Sequence, residues 1–320
     1  ELLEKGNLEE AESFYDEALD YYNQARNIYQ GIDDLKGLVE TMQKIAVVFQ
    51  EQGNADNAIK TLKSILQITE EYGFTSMTAQ IHASLGRAYN SQSNYKVALV
   101  SLHKALDINQ NLNDRFLEIS ILESLGIIYV EVGKNERAVT YFQQALTIAR
   151  VIGDKRGEGS QLGNLGSVYA RLEDKEKAVT YFQQALDISR EIGEKRQEGI
   201  NLTNLGNLHA YSIQKSEDAS KYYKQAIAIA KEIGEKRNEG INLTNLGTIH
   251  QRLGENEDAI SCLEQALEIS IEIGDKRNEG VNLGNLGLIY LEIGQYEKAI
   301  NTYKQSIQIA REIRNKRSEG

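Results

Sequence analysis

The chain has 320 residues, 41% of them hydrophobic, and a formal net charge of -11 at pH 7. This acidic balance disfavours binding to nucleic acid or to an anionic membrane, because both attract net basic surfaces. No run of apolar residues is long enough for a membrane span, residues 1–30 are too acidic for a signal peptide, and Cys262 has no second cysteine to pair with, so we expect a cytoplasmic protein.

Small and large residues recur in the same order about every 40 residues, as a comparison of 162–199 with 283–320 shows. The small residue of a recurring Leu-Gly pair marks each unit, and it falls at Ala46, Gly86, Gly126, Gly166, Gly206, Gly247 and Gly287. One step is longer by a single residue, which we place in a loop around 212–216, because an insertion within a helix would rotate every later residue by about 100°. The pattern predicts a repeat protein.

In chain order, the periodicity first predicts a single helix over about residues 7–31. Its apolar positions run from Ala11 to Ala25, so we expect it to be about two turns longer than its later counterparts. Helix pairs ended by glycine follow, since proline is absent and 26 glycines are spread along the chain. The first helices of these pairs should be about 17 residues long, beginning near 35, 76, 116, 156, 196, 237 and 277.

The predicted fold is all-α, a right-handed α-solenoid of stacked antiparallel helix pairs. Residues 1–34 would form the leading helix of a partial repeat, and the helix-pair repeats would be 35–74, 75–114, 115–154, 155–194, 195–235, 236–275 and 276–315. Gly166 and Ala178 are small enough to mark the crossing point of the two helices of a pair. The final letters NKRSEG predict the start of a further repeat, and we expect a longer protein.

The recurring positions of one repeat resemble the tetratricopeptide repeat (TPR) signature. They are Leu162, Leu165, Gly166, Tyr169, Ala178, Phe182 and Ala185. The 40-residue length and the segments LGNLG and IGDKR are similar to the longer-repeat branch of this family, which includes Pins-type polarity scaffolds, kinesin light chains and bacterial multidomain proteins. The resemblance implies a TPR superhelix that holds a peptide or a partner protein in its concave groove. Leucine replaces the usual tryptophan here, and the usual terminal proline is missing.

The first helices should line this groove, and asparagine recurs on them. We call Asn164, Asn204, Asn245 and Asn285 the inner row, with Asn207 one turn later in one repeat, and Asn201, Asn242 and Asn282 the outer row. Asparagine carries a donor and an acceptor, so a row of them can bind the N–H and C=O groups of an extended peptide. The alternative is that each asparagine bonds a neighbouring helix and sets the repeat spacing, and we favour this alternative for the outer row.

Two further sets of residues face the predicted groove. Ile200, Ile241 and Val281 occupy a position where Pins-type repeats tend to carry arginine, which suggests a less acidic ligand. We favour the alternative that these three residues form core between repeats. In the early repeats, Lys44 and Arg87 offer a charged surface, where we expect any charge-specific contact.

A Lys-Arg pair recurs at the repeat junctions, beginning at Lys155, Lys195, Lys236, Lys276 and Lys316. Cations at a helix N-terminus oppose the helix dipole, so acids nearby should compensate for them, such as the glutamate three residues after each lysine. We therefore favour a solvated, internally neutralised edge over a binding edge for an acidic partner or nucleic acid.

The sequence offers little for catalysis. His82, His103, His209 and His250 are isolated in sequence, none has a metal-ligand spacing, and the last two occupy the tyrosine position of the repeat. Cys262 has no histidine near it in sequence, which favours a buried structural thiol. We therefore predict neither an enzyme nor a metal or cofactor site.

Three functions fit these patterns. The first is a scaffold that binds a peptide or partner protein along the concave groove. The second is the sensor or docking arm of a larger, bacterial effector or signalling protein whose catalytic domain lies outside this chain. The third is self-association through exposed terminal helices.

Overall fold

The computed structural model describes residues 2, 3, 5, 14–210 and 216–319, with side chains up to residue 314. Within these ranges the chain forms helices joined by short turns, with no strand. In chain order the long helices are α1 Tyr15–Gly31, α2 Leu35–Glu51, α3 Ala55–Glu71, α4 Thr75–Ser91, α5 Tyr95–Leu112, α6 Arg115–Glu131, α7 Asn135–Ile152, α8 Lys155–Arg171, α9 Lys175–Glu191, α10 Lys195–Ala210, α11 Ser216–Glu232, α12 Lys236–Leu253, α13 Asn256–Glu272, α14 Lys276–Glu292 and α15 Tyr296–Glu319.

The predicted starts of the first helices agree with the observed starts of α2, α4, α6, α8, α10, α12 and α14 to within one residue. Local signals explain this agreement. Asp34 caps α2 by accepting a hydrogen bond from the Gly37 backbone N–H at 3.0 Å, and Asp275 caps α14 in the same way. Glycine in a left-handed conformation, such as Gly274 with φ of 69°, ends the preceding helix.

The leading helix differs from its prediction. It begins at Tyr15, because Phe14 before it has non-helical φ and ψ of -90° and 68°. Its buried face is Ala18, Tyr22 and Ala25, which repeats the spacing of Ala178, Phe182 and Ala185, so the helix has the ordinary length of 17 residues. The prediction measured the face from Ala11, which lies outside the described residues, as do 6–13 in general.

The C-terminal helix also differs from its prediction. The expected turn and new first helix at NKRSEG are absent, and α15 runs for 24 residues to Glu319. The other second helices are followed by a left-handed residue, which is glycine at Gly73, Gly153, Gly193, Gly234 and Gly274 and is Asp33 or Asn113 in the remaining two. Aspartate and asparagine are the residues with a side chain that adopt this conformation most readily. Arg314 takes that position in α15, and a left-handed conformation costs a residue with a side chain about 1–2 kcal/mol. The helix therefore continues.

Adjacent helices pack closely because glycine makes room at each crossing. A Cβ atom added to Gly166 would lie 2.8 Å from the Phe182 ring, and one added to Gly206 would lie 2.6 Å from Tyr223. Ala178 is fully buried at the same crossing. This confirms the predicted crossing point and explains why the repeat needs one small residue in each helix.

The chain divides into two compact units, Glu1–Gly157 (unit 1) and Glu158–Gly320 (unit 2). Each has its own apolar core: Ile81, Leu125 and Phe142 are buried in unit 1, and Leu165 and Leu205 are buried in unit 2. The division into individual repeats stays a prediction. Among the described helices, none combines the length and the apolar character that crossing a membrane requires.

Candidate functional site

The inner row of asparagines lies on α8, α10, α12 and α14 of unit 2, and all four side chains are half-buried. The side-chain amides of Asn204 and Asn285 make no hydrogen bond to another described residue. Asn245 donates Nδ2 to the Oδ1 of Asn207 over 3.4 Å. Two amides of the row therefore keep both donor and acceptor available for a ligand.

Cavities open beside these two amides. Asn204 borders one of about 620 Å³, which Leu208 also lines, and a second of about 190 Å³, where Ile200 forms part of the wall. Asn285 borders a cavity of about 520 Å³ together with Val281. Each amide therefore lies next to an apolar surface that a ligand side chain can cover.

The apolar groove positions are more exposed than we expected. Ile200 is 39% exposed and Val281 is 45% exposed, and Ile241 is partly buried. The favoured interpretation as inter-repeat core is therefore wrong for Ile200 and Val281. Ile200 and Val281 each border a cavity next to the inner row, where no neighbouring helix covers them fully.

Asn207 has a structural contact. Its Oδ1 accepts a hydrogen bond from the Tyr223 hydroxyl at 2.8 Å, in addition to the weak bond from Asn245. Tyr223 is the large residue that fills the space beside Gly206. The oxygen of Asn207 therefore helps to hold α11 against α10, although the side chain also lines the 620 Å³ cavity.

The outer row has the structural role that we favoured. Asn201, Asn242 and Asn282 are buried, and each bonds to a neighbouring helix. The Thr203 hydroxyl of α10 donates to Asn242 Oδ1 of α12 at 3.0 Å, and the Thr244 hydroxyl of α12 donates to Asn282 Oδ1 of α14 at 2.7 Å. We call these two contacts the Thr–Asn staples. The sequence signal that would have revealed them is a threonine 39 residues before Asn242 and 38 residues before Asn282.

In unit 1 the predicted charged residues border a single cavity of about 500 Å³. Lys44 of α2 and Arg87 of α4 line it together with Glu40 and Ser120. The Arg87 guanidinium donates to the Ser84 and Ser120 hydroxyls at 3.0 and 3.3 Å. Crowding by protein atoms lowers the pKa of Arg87, and the charge of Glu123 opposes this effect. Arg87 nevertheless stays charged at neutral pH, as arginine does in proteins.

The Lys-Arg pairs at the repeat junctions are neutralised by acids on the same helix, on the second helix of the same pair, or directly before the next pair. In unit 2 the pairs are Lys195 with Glu198 and Glu232, Arg196 with Glu235, Lys236 with Glu272, Arg237 with Asp275, and Lys276 with Glu279. These exposed pairs each contribute only about 0–1 kcal/mol, but they leave little unbalanced positive charge for an acidic partner. The side chains of the pair at Lys316 lie outside the described residues.

Histidine and cysteine side chains occupy packing positions. His82 is buried, and burial lowers the pKa of its imidazole, with Lys104 lowering it further and Glu70 opposing. Cys262 is half-buried, and burial raises the pKa of its thiol, with Asp258 adding to the effect. This thiol stays protonated at neutral pH and does not resemble an activated nucleophile.

His250 differs from the isolated residue that we expected. Glu255 and Asp258 bring their carboxylates to it, and one ligand atom from each of the three side chains lies within 4.8 Å of the others. The acids come from the next helix, so the spacing His-x4-Glu-x2-Asp was the signal in the sequence.

The TPR profile matches residues 2–71, 75–150, 160–232 and 240–312, and a second TPR profile matches 124–191. No curated protein sequence is similar to the chain at a significant level.

Solved structures share the fold. A signal-transduction ATPase with numerous domains and a TPR sensor, from Pyrococcus horikoshii, is 22% identical, with a TM-score of 0.77 over 93% of this chain and 45% of that chain. This chain thus spans less than half of that protein. The apo quorum sensor NprR of B. thuringiensis is 14% identical, with a TM-score of 0.70 over 97% and 86% of the two chains.

A Rap conjugation regulator of plasmid pLS20, in complex with the Phr* peptide, is 19% identical, with a TM-score of 0.57 over 89% and 77% of the two chains. The sequence matches cover most of the chain, and the helix pairs and their glycine crossings agree with them. The chain belongs to the tetratricopeptide repeat family.

Proposed function

We propose that unit 2 binds an extended peptide segment, free or as part of a partner protein, through the inner row of asparagines. The observation that carries this proposal is that Asn204 and Asn285 lack hydrogen-bond partners within the described chain while they border cavities. A protein gains nothing in stability from such amides, whereas a ligand main chain can pair with both their atoms.

The neighbouring side chains define the chemistry of the ligand. Ile200 and Val281 expose apolar surface beside the inner row, and the arginines at the junctions are paired with acids. A ligand side chain that lies on these residues gains from being aliphatic, at about 25 cal/mol per Å² of buried apolar area. We therefore expect uncharged, aliphatic residues in the bound segment, and main-chain recognition between them.

Solved structures with the same fold support a peptide or protein ligand in general. The Rap regulator of pLS20 was solved with a peptide bound, and another Rap protein was solved with the competence and sporulation factor. The proposal assigns no catalytic role to unit 2, since its groove holds amides and aliphatic side chains.

Selection of random 12-residue peptides displayed on phage tests the proposal. The wild-type chain is the bait, and the triple variant Asn204→Ala, Asn245→Ala, Asn285→Ala is used to remove other binders. Each hydrogen bond is worth about 0.5–1.5 kcal/mol, so a selected synthetic peptide should bind the triple variant at least ten times more weakly. N-methylation of single peptide bonds should weaken binding to the wild type, because the main chain is the proposed recognition element.

The matched control removes three asparagines elsewhere. Asn57, Asn111 and Asn301 are exposed on α3, α5 and α15, and they line none of the cavities beside the inner row. Their triple alanine variant should bind the selected peptides as the wild type does. Equal binding by both triple variants, with both folded, would rule out the inner row as the site.

A second candidate is that the chain is the sensor arm of a larger signalling protein. It is favoured by the match to the Pyrococcus ATPase, in which a TPR sensor accompanies other domains and this chain covers 45% of the length. The coding sequence on both sides of this segment decides the matter. A nucleotide-binding domain in the same reading frame would support the sensor arm, and stop codons close to both ends would exclude it.

A further inference from the structure

The corner between α12 and α13 has an unusual set of side chains. His250, near the end of α12, is 7% exposed, and its Nδ1 contacts the Oε2 of Glu255. Glu255 precedes α13 and makes no capping hydrogen bond to that helix, so its carboxylate is directed at the histidine and not at the helix end. Asp258, in the first turn of α13, completes a group whose ligand atoms lie within 4.8 Å of one another.

Three other repeats have the opposite charge at this corner. They have tyrosine at the position of His250, and a cation from the next helix lies over the ring: Arg137 over Tyr129, Lys177 over Tyr169 and Lys298 over Tyr290, at 5.6, 4.9 and 5.2 Å. Asp258 takes the place of that cation here. In those repeats the lysine or arginine would repel a cation. Here the same corner carries two carboxylates and an imidazole.

We propose that His250, Glu255 and Asp258 bind a divalent transition-metal ion of the Zn²⁺ or Co²⁺ type. One imidazole and two carboxylates form a nitrogen and oxygen donor set of the kind that these ions prefer, at about 2.0–2.2 Å from each ligand atom. Both carboxylates are on exposed residues and can rotate to close the present separation, while water fills the remaining positions. The ion would link the end of α12 to the start of α13 within one repeat.

The preceding repeat provides a natural comparison. His209 also occupies the tyrosine position, and its Nδ1 lies 3.9 Å from the carboxylate of Asp218, which corresponds to Asp258. The residue that corresponds to Glu255 in the sequence is Lys215. That corner therefore has two of the three donors, the sequence has lysine where the third would be, and we expect no metal binding there.

The test is a titration of the chelator-treated chain with Co²⁺ at pH 7.5, followed by visible absorbance, and competition with Zn²⁺ by calorimetry. The wild type should bind one equivalent. His250→Tyr restores the residue of other repeats and should abolish binding, and Glu255→Gln and Asp258→Asn should each weaken it at least tenfold. Zn²⁺ should also raise the Tm of the wild type and not that of His250→Tyr.

The controls are His209→Tyr and Cys262→Ser, which should bind Co²⁺ as the wild type does. The two carboxamide variants change exposed residues and stay informative if His250→Tyr does not fold, which circular dichroism will show. Absence of saturable Co²⁺ binding up to millimolar concentration would overturn the proposal. So would unchanged binding by His250→Tyr or by both carboxamide variants, because the ion would then bind elsewhere.

Discussion

The two units fill one position of their first helices in different ways. In unit 1 this position holds Ile81 on α4 and Ile121 on α6, both fully buried. In unit 2 the corresponding position holds the outer-row asparagines, such as Asn242 and Asn282, which are buried just as deeply and bond to threonine on the preceding first helix. The same stacking of helices is thus achieved by apolar packing at Ile81 and Ile121 and by paired amides at Asn242 and Asn282. Thr41 of α2 and Gln161 of α8 are also buried at this position and follow neither pattern.

One position of the first helices serves the fold, and another, three residues later, serves the groove. The fold needs a buried side chain at this position, and hydrogen bonds stabilise the buried amides of Asn242 and Asn282 there, whereas the buried amide of Gln161 has no partner among the described residues. Three residues later the two units diverge again, because unit 1 has Lys44 and Ser84 where unit 2 has the inner row. That second difference alters the groove without altering the core, so we attribute ligand choice to it.

The largest expected effect comes from the feature that the two units share. Gly206→Leu would force a side chain against Tyr223, where even a Cβ atom would lie at 2.6 Å. Overpacking of this kind costs about 1–3 kcal/mol, and more where the neighbour is held by a hydrogen bond, as the Tyr223 hydroxyl is by Asn207. A fall in Tm measured by circular dichroism checks this, and an unchanged Tm would refute the assigned crossing point.

The second-largest effect on stability is expected from a variant that breaks one of the Thr–Asn staples. Asn282→Ala would leave the Thr244 hydroxyl without its side-chain acceptor and the Ser270 hydroxyl without its 3.2 Å contact, which should cost about 1–3 kcal/mol. The double variant Thr244→Val, Asn282→Ile copies the solution of unit 1 and removes both partners, so it should recover much of that loss. If the double variant is less stable than Asn282→Ala, apolar packing cannot replace the staple.

A smaller effect on stability is expected for the inner row. The triple variant Asn204→Ala, Asn245→Ala, Asn285→Ala removes one weak internal bond, from Asn245 to Asn207. Surface substitutions usually change stability by less than about 0.5 kcal/mol each, so Tm should stay close to that of the wild type. A large loss of stability would place the inner row in the core and weaken the case for a ligand site.

The fold could be predicted from the sequence because the sequence signals for helices and crossings are local and recur in each repeat. Gly166 and its equivalents mark the crossings, and aspartate and glycine mark the helix ends. The two errors, at the start of α1 and the end of α15, fall where the repetition stops, so neighbouring repeats no longer fix the register.

The candidate site could be predicted from the sequence only in part. Periodicity could place Asn201 and Asn204 on neighbouring turns of α10, but their burial depends on which neighbouring helix covers each turn. The exposure of Ile200 and the grouping of His250 with two acids also depend on contacts between helices. A one-residue insertion before Ser216 further obscured the alignment of such contacts.

The smallest expected effect concerns a polar side chain in unit 1 that is buried without a partner such as those in the Thr–Asn staples. His82 stands where the later repeats have leucine, such as Leu122, and its Nδ1 is buried without a hydrogen-bond partner. Its pKa is lowered from 6.5 by burial, so the unfolded chain takes up a proton more readily than the folded chain. The stability that the folded chain has with a neutral His82 imidazole is therefore complete above pH 6.5, and it is lost as the pH falls towards the lowered pKa.

His82→Leu removes the titrating group and restores the residue of the other repeats. The difference in Tm between His82→Leu and the wild type should grow as the pH is lowered from neutrality to about 5, since only the wild type must keep an imidazole neutral inside its core. His103→Leu serves as the matched control, because His103 is less buried than His82, and its Tm difference should change less with pH. A constant difference for His82→Leu as well would mean that water or Glu70 stabilises the imidazolium in the folded chain, and unit 1 would then tolerate a charge at the position where the other repeats require leucine.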